Sequence, residues 1–432
     1  MARGAAASRA AADLPAEAAD APRRLAFVYH PFSFGAMDIA AAAAGVCELV
    51  WVIDSSMADV ELMSKLLRRL GQVVDVAGAS PQEAAARIAP HAPHGILGLA
   101  DSLLEWTAEV AERLGLRFHT PEVAARLTDK YRQPRALAAA GVPAPEAWLV
   151  PADDDRAAWE ELADAVPFPA LLKPRRGEGS RDVVAVDSIG ELRTRIAELD
   201  AARARDWVIQ RFLPDRTGDV GEFADYVSVE SIVSAGTLSH LAITGRTPVA
   251  PPFRESGFFI PAALEDDERA AVLALASRAV EALGLVTGTL HTEIKLTAEG
   301  PCVIEVNGRL GGGTSAMLAS VTDVELLPIA LRLALGESIT FEELLRPRGV
   351  AFVLYVHAPA ALRRIVAVEG LEQLRADPCV DRVILNRGPG QSVDWRDGSW
   401  GHVFAVHGTT RDHEQLAALA RRIRSQTRVL GE

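Results

Sequence analysis

Lysine is nearly missing from this sequence. Of the 45 Lys and Arg residues in 432, only Lys65, Lys130, Lys173 and Lys295 are lysines. Cysteine is as sparse: Cys47, Cys302 and Cys379 are widely spaced and odd in number. That pattern excludes a disulfide framework and a thiolate metal cluster, and it favours a reducing, cytoplasmic setting. The ten histidines are scattered without zinc-like pairing. No basic block offsets the net charge of −13, which argues against a nucleic-acid partner while leaving room for a local anion pocket. No apolar run approaches the ~18 residues of a membrane-spanning helix, so no membrane partner is expected. What is present is globular material, 49% hydrophobic and 24% charged, sufficient for two or three cores. Residues 1–22 are Ala-rich, but Arg3, Arg9, Asp13, Glu17 and Asp20 break any signal-peptide core, and the segment reads as a disordered tail.

From residue 24 to 125 strand-like and helix-like segments alternate. Strands are expected over Leu25–His30, Glu48–Asp54, Gln72–Val76 and Gly95–Leu99, and helices over Ala36–Ala44, Asp59–Leu70, Pro81–Ala89 and Ser102–Leu114. Such alternation predicts a parallel sheet flanked by helices. Tyr29-His30-Pro31-Phe32 replaces the Gly-rich turn of a dinucleotide site, which argues against a nicotinamide or flavin cofactor. A helix beginning near Asp129 ends at the Gly141–Pro145 loop. An antiparallel unit is expected from Ala170–Lys173, Val183–Val186, Trp207–Leu213 and Tyr226–Val233, followed by a core helix over Leu273–Leu283. The last ~90 residues predict strands at Ala351–His357, Val380–Leu385, Ser392–Trp395 and His402–His407, and a closing helix over Asp412–Leu430.

The stretch from His291 to Gly313 carries the chemistry. Leu290–Leu296 and Cys302–Asn307 alternate apolar and polar residues around a turn-like Thr-Ala-Glu-Gly-Pro, a hairpin pattern. A turn centred on Glu299 puts Glu293 opposite Glu305 and His291 opposite Asn307, all on one face. Opposed Cβ atoms lie roughly 5 Å apart. Two carboxylates so placed repel by about 3 kcal/mol at an effective dielectric near 20. A divalent cation between them removes the conflict, and carboxylate oxygens suit Mg²⁺. Asn307 adds a neutral oxygen, Arg309 a cation for a phosphoryl or carboxylate group, and Gly311-Gly312-Gly313 a backbone that a ligand can approach closely. The plain alternative is an exposed hairpin with solvated acids.

Together with Thr-Asp-Lys-Tyr-Arg around Lys130 and the Lys-Pro, Gly-rich run that starts at Lys173, this E-(x)11-E-x-N-x-R hairpin resembles the ATP-grasp superfamily of carboxylate–amine ligases. Within it the chain is most similar to the L-amino-acid ligases, over about residues 23–432. The resemblance implies an α/β (α+β) ATP-grasp fold. It would comprise a Rossmann-like pre-ATP-grasp domain (23–125), an ATP-grasp domain (126–335) and a biotin-carboxylase-like lid or cap domain (336–432). It implies ATP and two Mg²⁺ ions, with Mn²⁺ able to stand in, held by Glu293, Glu305 and Asn307. It makes Lys130 and Lys173 phosphate ligands and Gly179 and Ser180 part of a closing loop, in which Asp182 stands where relatives have Gly. Gln210, in place of the usual Glu, would meet adenine together with Phe212 and Leu213. Asp225 is the candidate ribose acid, and Glu230 would lie near phosphates and substrate. Arg309 would steady the acyl-phosphate. Glu255 would orient the amino substrate, and Phe258 replaces a histidine, leaving His291 as the candidate for its role. Lys65 and Lys295 read as structural or surface residues, and His240 is undecided between structure and site.

The implied reaction joins a small-molecule carboxylate and an amine, such as two amino acids, through an acyl-phosphate, in specialised metabolism, and a homodimer is common for the architecture. Rival readings are a purine-pathway ligase, a biotin-carboxylase-type enzyme and a non-catalytic nucleotide-binding protein. The second expects Gln-Val-Glu-His after the N-x-R motif, whereas Leu-Gly-Gly-Gly follows Arg309.

Overall fold

The computed structural model describes residues 22–31, 33–151, 155–200, 206–216 and 221–432. Almost all of the predicted N-terminal tail, residues 1–21, lies outside them, as do Phe32 and residues 217–220.

Among the described residues the strands form four sheets. The first is parallel, in the order β3-β2-β1-β4, from β1 (Arg24–Val28), β2 (Glu48–Ile53), β3 (Gln72–Asp75) and β4 (Gly95–Gly98). Near-continuous apolar strands such as Glu48–Ile53 suit a sheet covered on both faces, and Leu25, Ala26, Phe27, Val50 and Trp51 are fully buried. The helices α1 (Ala36–Ala43), α2 (Ala58–Leu70), α3 (Pro81–Ile88) and α4 (Asp101–Leu114) fall where periodicity placed them. Helix α3 starts at a Ser80/Glu83 capping box.

The second sheet is antiparallel, in the order β5-β8-β6-β7: β5 (Ala147–Leu149), β6 (Ala170–Pro174), β7 (Val184–Val186) and β8 (Trp207–Arg211). The third has eight strands: β9 (Tyr226–Ser234), β10 (Thr237–Arg246), β11 (Gly257–Ile260), β12 (Gly288–Thr297), β13 (Gly300–Asn307) and β14 (Val350–His357) lead on to two C-terminal strands. A two-stranded sheet pairs β15 (Ile365–Glu369) with a strand at the chain's end. The strands β16 (Val380–Leu385) and β17 (His402–Thr410) complete the eight, in the order β13-β12-β9-β10-β11-β14-β17-β16. Three of the expected C-terminal strands thus continue the sheet that carries the β12–β13 hairpin. Tyr226–Ser234 joins this sheet too, and not the one formed by β5 to β8.

Three local expectations are corrected. Ser392–Trp395 is no strand; Ser392 makes one isolated bridge to Arg364, and Trp395–Gly401 is a 3₁₀ segment interrupted by a left-handed Gly398. The closing helix covers His413–Gln426, and Arg428–Gly431 turns back as β18, because Thr427 and the β-branched Val429 favour an extended chain that can pair with β15. The helix expected from Asp129 starts at Arg132 instead. There Asp129 stands before the first turn and accepts from the backbone N–H of Tyr131 and Arg132 at 2.9 and 3.1 Å. Two helices, α5 (Pro121–Thr128) and α6 (Arg132–Ala139), carry the chain to the site. From α6 the buried Gln133 pairs with the edge strand β13, donating to Val306 O at 2.9 Å and accepting from Val306 N at 2.7 Å. The outer edge of the β12–β13 hairpin is thereby sealed.

Candidate active site

A cavity of about 740 Å³ lies between the two antiparallel sheets, with walls from the C-terminal strands as well. Lys130, Lys173, Glu293, Glu305, Asn307 and Arg309 all line it. So do Gly179, Ser180, Gln210, Phe212, Leu213, Glu255 and His291. Asp225 and Glu230 do not.

The hairpin pairs as expected, His291 with Asn307 and Glu293 with Glu305. The route differs. Thr297 pairs with Gly300, so the turn proper is Ala298-Glu299, and such a turn alone would bring Ile304 opposite Glu293. A bulge at Ile304 restores the register.

Both carboxylates are neutralised by the protein. Lys130 Nζ lies 2.5 Å from Glu305 Oε1 and donates to Gly177 O at 2.8 Å. Burial works against the Lys130 charge, but Glu305 outweighs it and raises the pKa. Glu293 Oε1 lies 3.5 Å from His291 Nε2. Burial pushes the Glu293 carboxyl up, yet the hydrogen bond and charge of His291, with Arg246 and Arg309, bring it down to about 2. Asn307 Nδ2 donates to His291 O at 3.3 Å, which uses the donor side of its amide and leaves the oxygen as the acceptor.

His291 is no free base. Its Nδ1 lies 2.9 Å from Glu230 Oε2 and its Nε2 faces Glu293. Burial disfavours its charge, but Glu230 more than offsets this and the pKa rises to about 9. Glu230 is therefore a buried support, 1% exposed, held also by Ser228 and Thr244 at 3.0 and 2.9 Å. It acts through His291 and does not face the cavity. At Gly311 an added Cβ would come within 2.6 Å of His291 Nδ1 and 3.0 Å of Glu230 Oε2, so the glycine run lets the backbone cross this pair.

Lys173 Nζ donates to Gln210 Oε1 at 2.8 Å, and Gln210 Nε2 donates to Lys130 O at 2.9 Å. Both ends of the Gln210 amide are thus committed to spacing the two lysines, not left for a base edge. Burial lowers the Lys173 ammonium to about 8, against the pull of Glu305 and with the push of Lys130. Asp182 and Ser180 both adopt left-handed backbone, φ 57° and 55°. That accounts for the glycine expected at 182, since Asp is among the few other residues that tolerate this region.

Asp225 is buried against Arg216, accepting from its backbone N at 2.8 Å and its Nε at 2.7 Å. The ribose assignment to it does not hold geometrically. Asp215 lines the cavity instead, ion-paired with Lys295, which also lines it and so is not a mere surface residue. His240 bonds Ser231 and Ser277, both at 2.8 Å, a structural role.

Sequence reasoning missed several residues that shape the site. Asp101, at the start of α4 in the N-terminal unit, clasps Arg309 through Nε at 2.8 Å and Nη2 at 2.7 Å. An acid in the first turn of a helix reads as a dipole partner, so no pattern marked it. Arg246, Tyr355, Trp400 and His402 line the cavity, the last three from the C-terminal region.

Among the described residues no helix is long and apolar enough to cross a membrane, and no group of three or more His, Cys, Asp or Glu side chains is placed to hold a metal. All three cysteines are free.

Residues 166–317 match the family model of the ATP-grasp domain. Over 321 residues the chain is 27% identical to the uncharacterized protein y4rH of Sinorhizobium fredii, covering 72% of this chain and 63% of that protein. It is 29% identical over 221 residues to alanine–anticapsin ligase of Bacillus subtilis, covering 48% of this chain and 46% of that one. The chain thus matches less than two thirds of the length of these relatives. In structure it is similar to an L-amino acid ligase from Bacillus licheniformis, with a TM-score of 0.75 at 20% identity over 95% of this chain and 99% of that one. The chain is therefore built around an ATP-grasp domain and has the ATP-grasp fold.

Proposed function

We propose that the protein is an ATP-dependent ligase that joins a carboxylate to an amine, an amino acid or a similar small acid serving as substrate. The reading rests on one observation: two opposed carboxylates, an amide oxygen, two lysines and an arginine converge on a single cavity. It is supported by the ATP-grasp domain and by the resemblance to a protein named alanine–anticapsin ligase.

The donor set suits Mg²⁺. Glu293, Glu305 and the Asn307 oxygen supply part of a hard-oxygen shell, and Mg²⁺ characteristically completes its shell with water and substrate phosphates. Bound there, the metal would neutralise charge on the transferred phosphoryl group. Lys130 would move from Glu305 toward phosphate, and Lys173 would hold a second phosphate oxygen. The substrate carboxylate attacks the γ-phosphorus and ADP leaves; the amine then attacks the acyl carbon and phosphate leaves. Arg309, oriented by Asp101, would face the charged acyl-phosphate oxygen, and fixed donors of this kind stabilise an oxyanion. The loop around Gly179 keeps water from the intermediate. Asp215 and Lys295 are the polar groups proposed for the ribose. A cytoplasmic location fits three free cysteines.

The test is ADP and phosphate release with MgATP across a matrix of amino-acid pairs, with mass spectrometry of the products. An amide formed in step with ADP supports the reading and names both substrates. ATP binding without ADP release for any pair would overturn it.

A further inference from the structure

The polar chain that leaves the carboxylate pair continues past His291. Arg246, the last residue of β10, places Nη2 3.2 Å from His291 Nε2 and Nε 2.8 Å from Glu255 Oε1. It is 3% exposed, and its guanidinium lies over the rings of Tyr226 at 5.1 Å and Phe258 at 5.4 Å. The Nε–H is not aimed at the Glu255 oxygen, and neither Nε nor Nη1 makes a hydrogen bond. Buried donors left unpaired are costly, so a cation in this state on a cavity wall wants an acceptor. A planar guanidinium matches the two oxygens of a carboxylate. Glu255 beside it supplies the opposite charge. An α-amino acid, with ammonium and carboxylate on one carbon, is complementary to such a pair when it lies antiparallel across it.

The surrounding wall is aromatic. Phe258 meets Tyr355 edge-on at 5.7 Å, and Tyr355 stacks on His402 at 4.3 Å and 29°. All three line the cavity, Tyr355 on β14 and His402 on β17. Ring faces of this kind receive apolar side chains and other rings.

We propose that Arg246 and Glu255 seat the amine-donating amino acid, Arg246 holding its unreacting α-carboxylate and Glu255 its ammonium, while Phe258, Tyr355 and His402 receive a bulky apolar side chain. This rests on the ligase reading above. The ammonium gives one proton to Glu255 and becomes the attacking amine. The N–C bond forms as the C–O bond to phosphate breaks, and the departing phosphate carries away the second proton. Burial raises the Glu255 carboxyl, which suits it to accept that proton.

The test is calorimetric titration of the protein, with MgADP present, by L-phenylalanine, phenethylamine and L-alanine. The second probe lacks the carboxylate and the third lacks the ring. The unaltered protein should bind L-phenylalanine at least about tenfold more tightly than either, the scale of one charge-assisted contact or one buried ring. Arg246→Gln should abolish the preference over phenethylamine while leaving phenethylamine and MgADP binding in place. Tyr355→Ala should abolish the preference over L-alanine. Arg246→Lys, which keeps the charge should the glutamine variant not fold, should reduce the first preference without removing it. Equal binding of L-phenylalanine and phenethylamine by the unaltered protein would overturn the seat. So would Arg246 variants that weaken MgADP and every probe alike, the mark of a purely structural residue. No turnover is involved, so an absence of ADP release with any amino-acid pair would count against the ligase reading alone.

Discussion

Ser399 donates its backbone N–H to the carbonyl of Gly179 at 2.9 Å, and its hydroxyl accepts from the backbone N–H of Glu255 at the same distance. One residue of the C-terminal region thus ties the loop around Gly179 to the segment that carries Glu255, just before β11. The fit is close: a Cβ at Gly398 would stand 2.2 Å from Gly179 O, and one at Gly179 would stand 2.2 Å from Trp400 Nε1. Gly398→Ala and Gly179→Ala should therefore loosen the loop, raise KM for ATP by about tenfold or more, and let ADP form without amide. Steady-state kinetics with product analysis checks this. Trp400→Ala should partly rescue Gly179→Ala but not Gly398→Ala; equal rescue of both would refute the contact as the cause.

Glu305→Ala and Arg309→Ala should each abolish ligation, by about 10²-fold or more in kcat, the scale of losing one fixed transition-state contact. Circular dichroism should remain native for both. Near-normal turnover in either variant would sink the assignment of the site.

If Lys173 holds phosphate as proposed, its lowered pKa, about 8, should set a pH limit on nucleotide binding. Below it the ammonium is charged and attracts phosphate. As pH rises through about 8 the free protein loses that charge, so ATP affinity should fall. Arg in place of Lys173 stays charged, and its affinity profile should be flat across the same range even if weaker overall. The linkage to stability runs the other way: the folded state releases this proton before the unfolded chain does, so this group's contribution to stability rises with pH above about 8. Calorimetric ATP binding from pH 7 to 9.5 distinguishes the two variants.

Asp215 and Asp225 should separate cleanly. Asp215→Ala, on the cavity wall, is expected to raise KM for ATP severalfold with little change in melting temperature. Asp225→Ala leaves Arg216 without its buried partner and should lower the melting temperature with little change in KM. The reverse outcome would restore Asp225 as the ribose acid.

Gln133→Ala removes both hydrogen bonds to Val306 and leaves a buried N–H and C=O unpaired. The expected loss is about 1–3 kcal/mol for each group, read by denaturant unfolding. A loss below about 0.5 kcal/mol would mean that water replaces the glutamine at the hairpin edge.

Local patterns were legible wherever one short segment bears the whole constraint. The parallel strands of the first sheet declare themselves by apolar runs, and the β12–β13 hairpin by alternation on both sides of a turn. Arg246 and Asp101 were not legible, because each matters through partners far along the chain: Arg246 through Glu255 and His291, Asp101 through Arg309. The same holds for Gln210. Its side chain was expected to meet a base, yet only the folded sheet brings it between Lys173 and the carbonyl of Lys130.

By itself the sequence determined that His291 and Glu293 share one face of their strand and Glu305 and Asn307 one face of theirs, since alternation along a strand needs no more than residue spacing. It did not determine the register. The turn at Ala298-Glu299 would have paired Glu293 with Ile304, and the bulge that brings Glu305 opposite is a tertiary outcome. On one flank Gln133 holds Val306 N and O; on the other β9 pairs with β12 through His291 opposite Glu230. With both neighbours fixed, the surplus residue is expelled at Ile304, because a slip of one position would turn every acid of the strand to the opposite face.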